Sequence, residues 1–175
     1  SAMRQLGLTV HLPDKAYHGY TLFAPLSGTN VYLIDMRGGV VHSWNMPYRP
    51  ADYGYLMENG NLLFSGRTGK SPTGFGGSSG IVMEVDWNGD IVWQYEDASL
   101  HHDFCRVSNG NTMLLGWAPV PPDVASRIKG GELGTDHEWG IWCDYFREVT
   151  PQGETVWEWY AYQHLDTERD LICPL

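Results

Sequence analysis

The sequence predicts an all-β protein, a partial β-propeller of four-stranded antiparallel blades with about three blades present. Three observations predict it. The first is composition: 21 Gly, 8 Trp and 10 Tyr in 175 residues with 18% charged side chains, which suits strands joined by tight turns. The second is a repeated hairpin in LIDMRGGVVHSW (33–44), EVDWNGDIVWQY (84–95) and EVTPQGETVWEW (148–159). Each has a strand, a turn closing on Gly38, Gly89 or Gly153, and a second strand ending in an aromatic. The third is an Asn-Gly-Asn hairpin in YLMENGNLLFSG (55–66) and CRVSNGNTMLLG (105–116). Asn-Gly between apolar runs is a strong hairpin signal, because both turn positions tolerate φ > 0. The two hairpins alternate with a period of about 50 residues, and two hairpins make one blade. A β-sandwich of the same hairpins is the alternative.

Taken in order, Ser1-Ala2-Met3 reads as a cloning scar, and residues 1–16 as a lead-in without an apolar signal region. Blade one is expected at 19–44, one strand short. Blade two is expected at 53–95 and blade three at 102–159. GFGGSSG (74–80) has no helix after it to bind phosphate and reads as a flexible blade connection. Blade three is interrupted by APVPPDVASRIKGGELGTDHEWG (118–140), a surface excursion with one helical turn at DVASRI. Residues 160–175 read as the start of a fourth blade. The incompleteness implies a partner for the exposed blade faces, either the remaining half of the propeller or a second copy in a homodimer.

The charge of −10 and pI near 4.9 argue against nucleic acid and anionic membrane, which need a basic face. Cys105, Cys143 and Cys173 follow no metal or redox spacing and read as buried free thiols in a reducing compartment. The cytoplasm is the expected location, with the periplasm the alternative if a signal was removed. No cofactor and no metal are implied. Asp86, Asn88 and Asp90 alternate like a calcium loop but lack the remaining ligands and read as a turn.

Chemistry stands out where the repeat is broken. Shifting blade three back by one period places His101, His102 and Asp103 over Ala51, Asp52 and Tyr53. The blade fold therefore does not require the His-His-Asp cluster, and the three are the candidate catalytic residues. They are expected just before the first strand of their blade, DFCRVS, with one ring facing the channel and Asp103 orienting a ring. A polar turn capping that strand is the competing reading. Trp117, Arg67 and His137 are candidate substrate contacts. Trp117 and Arg67 occupy the same repeat position, an arginine suiting an anion and a tryptophan an aromatic ring. His137 lies on the excursion beside Glu138.

GYTLFAPLSGTNVYLIDMRGGVVHSW, YLMENGNLLFSG, GIVMEVDWNGDIVWQYED and HHDFCRVSNGNTMLLG resemble, in that order, the arylsulfotransferase family. The resemblance covers about Tyr17 to Tyr160. It implies a six-bladed propeller that moves a sulfuryl group from an aryl sulfate to a phenol without a nucleotide donor. A channel histidine carries the group transiently. Only the cluster at 101–103 carries over; the covalently modified histidine and the catalytic arginine belong to later blades. A non-catalytic propeller that binds a ligand or protein, and a lyase or hydrolase on the same fold, are the alternatives.

Overall fold

The computed structural model describes residues 7–129 and 140–170. Those residues form an all-β protein of three antiparallel sheets, none closed into a barrel. The first sheet holds β1 (Thr21–Phe23), β2 (Asn30–Ile34) and β3 (Val40–Asn45). The second holds β4 (Pro50–Leu56), β5 (Leu62–Arg67), β6 (Gly80–Val85) and β7 (Ile91–Glu96). The third holds β8 (Leu100–Arg106), β9 (Thr112–Pro119), β10 (Trp142–Val149) and β11 (Thr155–Tyr160). Every sheet is a meander in which consecutive strands lie side by side, even where longer segments join β5 to β6 and β9 to β10. These are the blade units that the repeat predicts, with the first one strand short. Among the described residues no helix is long and apolar enough to cross a membrane.

The chain divides into two units, one built from residues up to Thr68 with Ile81–Glu96, the other from Gly69–Gly80 with residues from Asp97 onward. In the first unit, sheets one and two bury one apolar cluster. Val31, Leu33, Trp44 and Met46 of the first meet Leu62, Phe64, Ile81, Met83 and Val85 of the second. The Trp44 indole donates to the Asp86 carbonyl at 2.9 Å, so its one polar atom is satisfied on burial.

The turn residues explain both hairpin types. In the Gly-turn hairpins, the Gly38, Gly89 and Gly153 amides donate to the carbonyls of Asp35, Asp86 and Thr150. The side chains of those three residues close the same turns from inside. Asp86 Oδ1 accepts the Asn88 and Asp90 amides at 2.8 and 2.9 Å, and Asp35 does likewise with Arg37 and Gly39. In the Asn-Gly-Asn hairpins a second device appears. Asn109 and Asn111 both donate to Glu148 Oε1, at 3.0 and 2.7 Å, as Asn59 and Asn61 do to Glu84. The glutamate of EVD and EVT thus clamps the neighbouring hairpin. The first sheet lacks that hairpin and has Leu33 in the glutamate position.

Several boundaries differ from expectation. Sheet two begins at Pro50 and sheet three at Leu100, because each first strand carries an irregularity that hides its start. Pro50 pairs with Gly66 and Gly54 with Phe64, so residues 51–53 face Ser65 alone. Leu100 pairs with Gly116 and Phe104 with Leu114, the same bulge one period later. The His-His-Asp cluster therefore lies inside β8 and not ahead of it. GFGGSSG is more than a flexible connection: Ser78 bridges His101, and the Ser79 and His102 amides bond Leu100 and Gly77 carbonyls. The helical turn spans Pro122–Ala125. Cys105 and Cys143 are free thiols, but Cys105 is exposed and Cys143 partly so, contrary to the expected burial. Cys105 alternates with buried Phe104 and points to the sheet's uncovered side. No strand follows Tyr160 among the described residues, where a fourth blade was expected to start. His137, Glu138 and Cys173 lie outside the described residues.

Candidate functional site

The site belongs to the second unit and is built on the β8 bulge. A regular strand would send His101 and His102 to opposite faces. Here His102 takes φ 49°, and among the described residues it alone of the non-glycines has positive φ. That conformation costs about 1–3 kcal/mol. It is held by the His102 amide, which donates to the Gly77 carbonyl at 3.0 Å. The His102 ring lies against Gly77, where any Cβ would overlap it. The bulge recurs at residues 51–53, but positive φ does not, so the strain belongs to the histidines and not to the blade.

The twist swings the two rings together. His101 Nδ1 and His102 Nδ1 are 2.9 Å apart. His101 is 4% exposed and stacks on Trp117 with ring centres 3.9 Å apart and planes 16° from parallel. Its other nitrogen, Nε2, is 3.3 Å from Asp144 Oδ1. The oxygen lies off the N–H direction, so Asp144 acts on the ring as a neighbouring negative charge and buried Nε2 is left without a completed hydrogen bond. Burial pushes the His101 imidazole below its usual range; the Asp144 carboxylate opposes this, and His102 adds to the lowering. His101 is therefore neutral at pH 7.

Charge then orders the tautomers. A carboxylate beside Nε2 favours the proton on that nitrogen, which leaves His101 Nδ1 to accept from His102 Nδ1–H. In the neutral form, His102 Nε2 then carries the ring's lone pair; that atom lies beside Gly77 on a residue that is exposed overall. Asp144, His101 and His102 form a line that ends in the His102 imidazole, the logic of a carboxylate-oriented base.

Other candidates have different surroundings. Asp103 Oδ1 accepts the Phe104 amide at 2.8 Å, and Asp144, from a different strand, supplies the carboxylate at His101. Trp117 is 8% exposed, with His101 on its face and Phe75 edge-on at 5.3 Å. It is a wall of the site and offers no free face to a ligand, which corrects its expected stacking role. Arg67 sits in the first unit at the end of β5, exposed, with Nη2 3.4 Å from the Ala51 carbonyl. It corresponds by repeat to Trp117, since the Arg67 and Trp117 amides bond Arg49 and Ser99 carbonyls respectively, each at 2.9 Å. No group of three or more metal-ligating side chains exists among the described residues.

Sequence reasoning missed Asp144, Phe75 and Gly77. A signal for Asp144 existed. The Glu148 clamp on Asn111 fixes the β9–β10 register, in which Asp144 pairs with Trp117. Gly77 and Phe75 offered none, because their partners are fifteen or more residues away and the Gly-rich stretch has no period.

A polar cluster braces the site from below. Tyr145 bonds Ser99 Oγ at 2.8 Å and Asp97 Oδ2 at 3.1 Å, and Arg147 pairs with Asp97 and Glu158, both at 2.7 Å. Burial raises the Asp97 carboxyl, yet bonds from Ser99 and Tyr145 and the Arg147 charge outweigh it and hold it below its usual range. In sheet two the corresponding positions are Ile81 and Met83, both buried. The cluster is specific to the sheet that carries the histidines.

Neither a family model nor a curated protein matches the sequence. A solved structure of a protein of unknown function from Bacteroides caccae is similar in fold, with a TM-score of 0.51 and 14% identity. The match takes in 85% of this chain and 48% of that one, so this chain spans about half the length of that structure. At that identity the likeness concerns the fold alone.

Proposed function

We propose that the chain is the N-terminal half of an arylsulfotransferase-like propeller, moving a sulfuryl group between an aryl sulfate and a phenol when the propeller is complete. The observation that carries this reading is the Asp144–His101–His102 line, whose two histidines stand where the repeat has Ala51 and Asp52 in β4. In the first half-reaction a histidine from the remaining blades forms an S–N bond while the S–O(aryl) bond breaks. The phenolate leaves with the electron pair, and His102, when protonated, gives it the proton. In the second, His102 takes the acceptor phenol's proton as its oxygen forms an S–O bond and the S–N bond breaks. His101 and Asp144 are positioning residues that hold the His102 tautomer. No cofactor enters the scheme.

The chain combined with the remaining blades should convert a chromogenic aryl sulfate in the presence of a phenol. His102→Ala should slow transfer about 10²-fold or more. Asp144→Asn should lower the rate less and shift its pH profile. An absence of transfer, or transfer indifferent to His102→Ala, overturns the proposal.

One observation favours a second reading, a non-catalytic propeller that binds a ligand or a protein. Residues 95–117 hold a single arginine and no lysine, and the Nη1 of that Arg106 is taken up by the Gly110 carbonyl at 3.1 Å. A sulfate would need donors from elsewhere. Hydrolysis or elimination of some other ester, lost on His102→Ala without sulfuryl transfer, would point to a hydrolase or lyase.

A further inference from the structure

The repeat indicates which sheet covers each sheet face, and among the described residues two complementary faces have no sheet against them. In the first unit Val31 of β2 pairs with Trp44 of β3. Both are buried, at 0% and 1% exposure, beneath Ile81, Met83 and Phe64 of the next sheet. In the third sheet Phe146 of β10 pairs with Trp159 of β11. The two pairs hold the same register, since both precede a Gly-turn hairpin bulge by the same step, Leu33/Ile34 in one and Glu148/Val149 in the other. Yet Phe146 is 39% exposed. Beside it Cys105 is also exposed, and Met113 and Leu115 are partly so. Between them and Phe104 lies an open apolar groove of about 110 Å³. This face has the chemistry of a sheet-packing face and lacks its sheet.

The complementary face is the far side of the first sheet. Phe23 and Tyr32 pair across β1 and β2 with rings 5.5 Å apart. They alternate with Leu22, Val31 and Leu33, which turn into the core. Tyr32 therefore occupies in β2 the place that Met83 occupies in β6, on the side that receives the preceding sheet. Phe23 is 42% exposed. One chain thus carries both halves of the contact that joins its own first two sheets.

We propose that the Phe146–Trp159 face of one copy packs on the Phe23–Tyr32 face of a second copy, reproducing the contact between sheets one and two. The contact is head-to-tail, so the two surfaces differ and each copy offers both. It does not depend on the sulfuryl-transfer reading: remaining blades, where present, would take the same faces, and the contact is that of the chain by itself.

Light scattering of the chain at about 100 μM, a concentration that populates micromolar complexes, should give a mass of at least two chains of 19.7 kDa. Phe146→Glu and Phe23→Arg should each return it to monomer with circular dichroism unchanged. Mixing the two variants should restore the larger mass, because one contact becomes Glu against Arg and the other is unaltered. A monomeric wild-type chain overturns the proposal. So does a larger mass that survives Phe23→Arg, since the Phe146 face would then pack on itself. Should Phe146→Glu fail to fold, Cys105 labelled with a maleimide gives the same reading. Slower labelling at high protein concentration is expected, and concentration-independent labelling counts against the contact.

Discussion

At His102 a strained backbone and a buried neighbour produce one chemical outcome. The positive φ brings Nδ1 onto His101, and His101 cannot easily accept a proton because it is buried on Trp117. Burial is the largest cause that holds its folded pKa below the ordinary histidine value of 6.5. The unfolded chain therefore binds the proton first as pH falls, and stability is lost below about pH 6.5 until the folded group protonates too. Thermal melts should show the midpoint falling between about pH 7 and pH 5. His101→Gln should flatten that slope. A slope that His101→Gln leaves unchanged would assign the loss to another group. The carboxylates whose pKa is lowered, Asp35, Asp86 and Asp97, contribute stability that is lost only further down, below the ordinary aspartate value of 3.8. At this scale the sequence singled out the histidine pair as something the repeat does not need, and the structure brings the two rings into contact. It misassigned the carboxylate, because Asp103 is near in sequence and Asp144 is near only through β9–β10 pairing.

At the scale of elements, β9 shows how a strand can be specified by what crosses it. Gly116 has no positive φ to explain it; a Cβ there would stand inside the Tyr145 ring. Tyr145 is tied in place by Ser99 and Asp97 and cannot swing away cheaply. Gly116→Ala should cost about 1–3 kcal/mol as overpacking. That lowers the melting midpoint by roughly 2–4 °C per kcal/mol for a chain of this size. Gly76→Ala, in open space with ordinary φ, should be near neutral. Equal effects would remove the packing explanation. The hairpins themselves were legible, since Gly38, Gly89 and Gly153 mark turns by local chemistry. The bulges in β4 and β8 were not, because the residues skipped by pairing carry no turn signature and are recognised only from the partner strand.

On the scale of the whole molecule, a formal charge of −10 sets how copies meet. Two such chains repel at low salt, and screening shortens that repulsion from about 30 Å at 0.01 M to about 3 Å at 1 M. A contact made by Phe146, Trp159, Phe23 and Tyr32 has no ion pairs among these four to lose. Sedimentation should therefore show tighter self-association as salt rises. Weakening with salt would mean that opposite charges, and not these rings, hold the copies together.

The sequence by itself determined the all-β class, the alternation of two hairpin types and the position where His101, His102 and Asp103 break the repeat. Turn geometry and strand alternation are local, and a period reveals what is exceptional within it. Only the tertiary structure decided that Asp144 faces His101, that Trp117 is a buried wall and that GFGGSSG lies against β8. Each of these depends on which backbone runs beside which. Pairing between distant strands is set by burial and hydrogen bonding across the sheet, and no residue records it alone.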